Sequence, residues 1–145
     1  YLLVRMSIFA GQRWGEADIR IEPYPRAPMP EIVTGIPKHE ETTLIADKAA
    51  GILGRWGRQA LGDREAPRAG NLGIGVAVAP AQIVAFGEDE FNTYVRLRPT
   101  NGRVRYRYHG SWFKEPGAAQ SADAYRAMLE ETARMRPEVQ LGAGE

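Results

Sequence analysis

Apolar and polar residues alternate along most of the chain with a period of two, the pattern of β-strands that bury one face. Alternation is clear at 17–22 and again at 71–78, where glycine and alanine occupy every second position. Such small residues indicate that another element approaches that face closely. Residues 1–9 are apolar at nearly every position, which predicts a strand buried on both faces. Further strands are predicted at 31–36, 42–47, 51–59, 81–86, 90–98 and 103–110.

The sequence Asn101-Gly102 is a strong signal for a tight turn. It predicts a long hairpin in which 90–98 pairs with 103–110. One face of that hairpin would be apolar, and the opposite face would be a basic, hydrogen-bonding stripe. The stripe would carry Asn92, Tyr94, Arg96, Arg98, Arg103, Arg105, Arg107 and His109.

A single helix is predicted over 121–135, with Ser121 as its N-cap and apolar residues at helical spacing. Many strands and one late helix argue against alternating strand–helix units and favour a mainly β fold, an antiparallel β-sandwich with one C-terminal helix. We expect residues 1–136 to be the C-terminal part of a sandwich domain, and 137–145 to be a flexible tail. Because residues 1–9 begin in mid-strand, we also expect the domain to pack on a missing N-terminal segment of its own chain.

Composition narrows the possible functions. The chain has 145 residues, a formal net charge of +1 and no cysteine. Its charge gives no reason to expect nucleic acid or membrane as a partner, and disulfides and thiolate metal sites are excluded. The glycines at 73 and 75 do not form a nucleotide-binding motif, so no cofactor is expected. The two histidines and Glu40 could hold a metal, but their spacing has no metal-binding signature, so no metal is expected.

Histidine near strand ends suits general acid–base chemistry because its pKa is near neutral. His39 follows the predicted strand 31–36, and His109 ends the basic strand. Together with Lys38, they are the candidate catalytic residues. The alternative is a purely structural or exposed role for each histidine.

Candidate substrate-binding residues are of two kinds. Guanidinium groups bind carboxylates or sulfates in a bidentate manner, and flat aromatic rings stack on sugars. The alternatives are a solvated sheet face, with arginines paired to nearby acidic residues, and tryptophans buried in the core. The candidates are Arg105, Arg107, Tyr108, Trp112, Asn92 and Trp14.

Four segments resemble those of a known family: VTGIPKH at 33–39, LGRWGRQ at 53–59, NLGIGVAV at 71–78 and YRYHGSWFK at 106–114. With the helix that follows, they make the chain resemble the C-terminal portion of the bacterial family called domain of unknown function 4861. This resemblance implies a galactose-mutarotase-like supersandwich, associated with the breakdown of uronate-containing polysaccharides and periplasmic or secreted. It implies no catalytic residues.

Three functions follow from these observations. The chain could act on a uronate-containing glycan as a lyase or hydrolase, with an oligosaccharide or polysaccharide as its partner. A lyase would use His39 or His109 as the base and Arg105 or Arg107 to hold the uronate carboxylate. Alternatively, the chain is a non-catalytic carbohydrate-binding sandwich, or a structural domain.

Overall fold

The computed structural model describes residues 1–59 and 70–135, which form nine strands, a 3-10 turn at Pro80–Gln82 and one α-helix. The predicted tail at 137–145 and most of the loop predicted at 60–70 lie outside the described residues. The elements are β1 (Leu2–Ile8), β2 (Trp14–Ile21), β3 (Ile32–Pro37), β4 (Thr42–Asp47), β5 (Ile52–Arg58), β6 (Asn71–Val78), β7 (Ile83–Glu88), β8 (Asn92–Leu97), β9 (Arg103–Trp112) and α1 (Ala122–Arg134).

The strands form two antiparallel sheets, which confirms the predicted sandwich. The large sheet has six strands in the order β1-β2-β9-β6-β5-β4, and the small sheet has three in the order β3-β8-β7. Side chains of both sheets meet in one apolar core, in which Leu53, Val76 and Val104 of the large sheet pack with Ile36 and Val95 of the small one. We call the side of the large sheet that faces this core its inner face, and the opposite side its outer face.

Helix α1 packs on the outer face of the large sheet over β5, β6 and β9, which makes a third layer over part of that sheet. It begins where predicted: Ser121 is the N-cap, and its hydroxyl accepts a hydrogen bond from the backbone N–H of Ala124 at 3.1 Å. Tyr125, Leu129 and Thr132, at successive turns, are the residues it buries.

Small residues on β5 and β6 allow the helix to come this close. A Cβ atom at Gly73 would overlap the ring of Tyr125, and one at Gly75 would lie 2.9 Å from the side chain of Leu129. At Gly54, on the neighbouring strand, it would lie 2.6 Å from Leu129. The close approach predicted from the alternating glycines is therefore confirmed, and the approaching element is α1.

The long hairpin predicted at 90–110 is wrong. Asn101 and Gly102 do adopt the positive φ angles of a tight turn, and Thr100 and Arg103 exchange backbone hydrogen bonds at 3.0 Å across it. Beyond the turn the two strands separate: β8 pairs with β3 and β7, whereas β9 pairs with β2 and β6. Pro99 has no N–H to continue the ladder, so the chain crosses from one sheet to the other at this point.

The prediction for residues 1–9 is also wrong. β1 is an edge strand, and none of its residues is buried. The small sheet has only three strands and leaves the inner face of β1 without a covering layer among the described residues. The apolar character of both faces identified the strand correctly, but not its exposure.

Candidate functional site

The arginines of β9 lie on the outer face of the large sheet, beside charged residues of β1 and β2. Cross-strand partners point to the same side of a sheet, so the register of the three strands gives the composition of this face directly. We call it the arginine face. It comprises the rows Leu3–Arg20–Arg103, Arg5–Asp18–Arg105 and Ser7–Glu16–Arg107.

Asp18 forms ion pairs with two arginines of the arginine face. Its two carboxylate oxygens accept hydrogen bonds from Nε and Nη2 of Arg103, at 2.6 and 2.5 Å. A guanidinium nitrogen of Arg105 lies 3.6 Å from the same carboxylate. The hydrogen bonds from Arg103 lower the pKa of Asp18 to about 2, so this carboxylate stays ionised at any physiological pH.

Positive charge nevertheless exceeds negative charge on this face. Its five arginines and two carboxylates (5 − 2) give a local charge of +3, while the whole chain carries only +1. Arg5 and Arg20 are exposed and form no ion pair with any residue that the structure describes. The side chain of Arg105 is 50% exposed. Three exposed arginines, Arg5, Arg20 and Arg105, thus neighbour Asp18 in the sheet, and their guanidinium groups keep donors for a ligand.

Two adjoining clefts lie next to the exposed arginines of the arginine face, and Arg105 lines both clefts. One has a volume of about 210 Å³ and lies between β9 and the end of α1, with Glu16, Arg107 and Thr132 in its wall. The other, of about 300 Å³, is lined by Gln82, Thr100 and Arg103. Guanidinium, amide and hydroxyl groups therefore line these two clefts, which lie side by side next to Arg105 of β9.

Arg107 and Trp14 lie at the edge of this region but are engaged with one another. The guanidinium of Arg107 stacks 4.8 Å from the centre of the Trp14 ring and donates a hydrogen bond to the carbonyl oxygen of Thr132. The ring of Phe9 lies 4.8 Å from Trp14 as well. The ring of Trp14 and the guanidinium of Arg107 are therefore both engaged with other groups of the protein, and neither is free to contact a ligand on the arginine face.

His109 lies on the same face, beneath α1. It is only 5% exposed, and its Nδ1 lies 3.3 Å from the hydroxyl of Tyr125. Burial, with the positive charge of Arg13, lowers the pKa of His109 to about 4, against a smaller opposing effect of Glu115. A neutral imidazole sealed under a helix is not placed to take a proton from a polymer in solution.

Lys38, His39 and Asn92 lie together at the far end of the small sheet, where Pro37 pairs with Asn92. The ammonium of Lys38 lies 3.2 Å from the carboxylate of Glu88. Hydrogen bonds from the Thr93 hydroxyl and from Lys38 hold the pKa of Glu88 below its usual value. His39 is half-buried. This group is apart from the arginine face, because it belongs to the other sheet.

Tyr108 and Trp112 alternate with the arginines along β9 and therefore lie on the inner face. Tyr108 is half-buried, and its hydroxyl donates to the carbonyl oxygen of Ser7 at 3.4 Å. Trp112 is 42% exposed, and the ammonium of Lys114 lies 5.6 Å from the centre of its ring. A ligand on the arginine face would be on the opposite side of the sheet from both rings.

A family model described as Domain of unknown function (DUF4861) matches residues 2–137. The chain belongs to this family. No curated protein and no solved structure matches it. The family resemblance seen in the four sequence segments is thereby confirmed.

The DUF4861 chain does not bring all its sequence-predicted site residues together. The outer face of the large sheet collects Arg105, Arg107, Trp14 and His109, while the other candidates lie in the two groups described above. Sequence reasoning missed Arg5 and Arg20. The alternation at 17–22 does place Arg20 opposite the buried Ile19 and Ile21, but only the pairing of β2 with β9 shows that it neighbours Arg103.

Metal binding finds no support in the described part of the DUF4861 chain. No group of three or more His, Asp or Glu residues there is close enough to hold an ion. Within the same residues, no helix has the length and apolar character needed to span a membrane.

Proposed function

We propose that this DUF4861 chain binds uronate-containing glycans on its arginine face as a non-catalytic carbohydrate-binding sandwich. One observation carries the proposal: Arg5 and Arg105 are the cross-strand neighbours of Asp18, Arg20 follows it on the same face, and all three arginines are exposed. A guanidinium fork matches a carboxylate in shape and charge. A polymer that carries one carboxylate on each sugar would meet several of these forks at once.

The spacing of the arginines suits an extended polyanion. Arg103 and Arg105 are two residues apart on one strand, which separates their Cα atoms by about 7 Å. Arg5 lies two strands from Arg105 in the same row, about 10 Å away. Repeated acidic groups along a glycan chain can contact both, and the two clefts beside Arg105 can accept a sugar ring and its hydroxyls. The link to polysaccharide breakdown that the sequence resemblance implies would suit the same ligand class.

Binding is favoured over catalysis by the state of the nearby titratable groups. Asp18, with its pKa of about 2, is a poor proton donor, and Glu16 lies 3.6 Å from the guanidinium of Arg107. The histidine on this face is buried. A lyase or hydrolase that uses His39, His109 or Lys38 is the alternative proposal, and a periplasmic or secreted location would suit either activity.

The test is the affinity for an oligogalacturonate, measured by calorimetry beside a neutral oligosaccharide of equal length. We expect binding of the acidic glycan alone, weakened by salt because the contacts are exposed charges. Each of Arg5→Gln, Arg20→Gln and Arg105→Gln should weaken it roughly tenfold, since a hydrogen bond to a charged group contributes about 1.5–3 kcal/mol.

The matched control is Arg98→Gln. It makes the same chemical change to an exposed arginine of the other sheet, 72% exposed and 3.5 Å from Glu31, and should leave the affinity unchanged. Equal losses in Arg98→Gln and Arg105→Gln would reduce the effect to net charge and contradict the site. Release of unsaturated uronate or of reducing ends in the same mixtures, lost in His39→Ala, would favour the enzyme instead.

A further inference from the structure

The free edge of β1 presents unpaired backbone groups at regular intervals. Tyr1 and Glu22 exchange both of their backbone hydrogen bonds. Hydrogen-bonded pairs recur at every second residue of an antiparallel ladder, so Leu3, Arg5 and Ser7 also bond to β2. The N–H and C=O groups that point away from the sheet belong to Leu2, Val4, Met6 and Ile8.

This edge lacks the features that usually prevent strand addition. Edge strands are protected by proline, by a bulge or by a charge that points inward. β1 contains no proline, its pairing with β2 is regular throughout, and its one charged residue, Arg5, points to the outer face. Its inner-face side chains are all apolar and 46–83% exposed. A strand added here would satisfy the backbone and cover part of this surface.

We propose that β1 pairs antiparallel with β1 of a second copy of this chain, about a two-fold axis at Met6. The contact is isologous, because the same strand is used on both sides. It joins the two large sheets into one continuous sheet. The residue pairs with direct backbone hydrogen bonds are Met6 with Met6 of the second copy, and Val4 with Ile8 of the second copy in both directions.

The charges on the outer face select this position of the axis. With the axis at Met6, Arg5 of the second copy lies opposite Ser7, a short neutral side chain, so no like charge faces it. The row that crosses the interface then reads Arg107, Glu16, Ser7 and, from the second copy, Arg5, Asp18 and Arg105. Positive and negative groups alternate along it, with a neutral serine at the junction.

Neighbouring positions of the axis lack this complementarity. An axis at Arg5 would pair more residues of the strand, but it would place the two Arg5 side chains directly opposite each other, and like charges in that position are destabilising. An axis at Val4 would put Arg5 opposite Leu3. On the inner face, the Met6 axis pairs Val4 with Ile8 and methionine with methionine, so apolar side chains meet throughout.

Single cysteines test the pairing directly, because the chain has no cysteine of its own. Hydrogen-bonded partners in an antiparallel pair have Cα atoms about 5.5 Å apart, within the range that a disulfide bridges. Met6→Cys should therefore form a covalent dimer under mild oxidation. Val4→Cys and Ile8→Cys should not do so alone, but a mixture of the two should form one. No covalent dimer of Met6→Cys alone, together with linkage in its mixture with Val4→Cys, would instead place the axis at Arg5 and overturn the proposal.

The solution mass of the full chain gives an independent test by analytical ultracentrifugation. We expect twice the 16.1 kDa of the chain, and a return to the single mass in Met6→Lys, which sets two ammonium groups on the axis. Leu44→Lys is the control, since Leu44 is 43% exposed on β4 at the opposite edge of the same sheet. A monomer at all concentrations overturns the proposal, and a strand from elsewhere in the same protein would then be the occupant of this edge.

Discussion

The outer face of the large sheet has two halves with opposite chemistry. Over β4, β5 and β6 it is apolar or glycine-rich and lies beneath α1, where Ile52, Trp56 and Ala77 pack with the helix. Over β1, β2 and the first residues of β9 it is the arginine face, open to solvent. The two halves share one continuous sheet, so the difference lies in the side chains and not in the backbone.

Burial and charge therefore serve different purposes in these halves. The helix-covered half stabilises the fold, because its apolar side chains leave water and its glycines allow close packing. The arginine face leaves charged groups solvated, and such groups contribute little to stability. If function resides where charge is exposed, substitutions in the two halves should affect different measurements.

The largest effect is expected from Leu129→Ala. Leu129 is fully buried between α1 and the glycines of β5 and β6, so truncation leaves a cavity and should lower the free energy of unfolding by about 2–5 kcal/mol. Urea unfolding at neutral pH measures it. Glu131→Ala, on the exposed side of the same helix, is the control and should lose less than about 0.5 kcal/mol. If Leu129→Ala lowered the free energy of unfolding by no more than Glu131→Ala does, α1 would not be packed against the sheet as described.

The second effect concerns pH and the boundary between the halves, where His109 is buried against Tyr125. Its pKa falls from 6.5 when unfolded to about 4 when folded, so the unfolded chain binds the extra proton first. The contribution of neutral His109 to the free energy of unfolding is therefore fully present above pH 6.5 and decreases as the pH falls toward 4. At 1.4 kcal/mol per pH unit, the total decrease is up to about 3 kcal/mol.

Unfolding free energies between pH 4 and pH 7 would measure this slope. His109→Gln should flatten it, whatever its effect on stability at pH 7. His39→Gln removes the other histidine, on the small sheet, and should retain the slope. If the slope survives in His109→Gln, the loss of stability in acid has another source.

How far the sequence could predict this molecule depends on the range of the interactions. Strand periodicity, the capped helix and the glycines beneath it are local signals, and the structure confirms them. The Asn101–Gly102 turn is local too, but the sheet to which each flanking strand belongs depends on contacts with β2, β3, β6 and β7. The predicted hairpin therefore failed although its turn was correct.

The candidate site was harder to predict for the same reason. Arg105 was identified from a stripe that also contained Arg96, which lies on the small sheet, and Arg98, which follows the last residue of β8. Its real neighbours, Arg5 and Asp18, are 100 and 87 residues away in the sequence. Nothing in the spacing of these residues shows that they share a row, because that follows only from strand order.

A smaller effect is expected at the N-terminus of α1. Ser121 accepts the hydrogen bond from Ala124 N–H that caps the helix, and Ser121→Ala should lower the free energy of unfolding by about 1 kcal/mol. Ser121→Asp keeps an acceptor at this position and should restore most of the loss. Equal losses in both variants would show that the hydrogen bond is not the source of the stabilisation. Since α1 is remote from Arg5 and Arg20 in the sheet order, glycan affinity should be unchanged in either variant.

The smallest effect on stability should come from the open half. Arg5→Gln, Arg20→Gln and Arg105→Gln each remove an exposed charge while keeping a polar, unbranched side chain, so each should change the free energy of unfolding by less than about 0.5 kcal/mol. The same variants should each weaken oligogalacturonate binding roughly tenfold, whereas Leu129→Ala should retain the affinity wherever the protein is folded. Measuring unfolding and binding on all four variants separates the two halves. A clear loss of stability in the arginine variants would contradict this separation, because it would mean that these guanidinium groups are part of the packed structure and not a surface kept for a ligand.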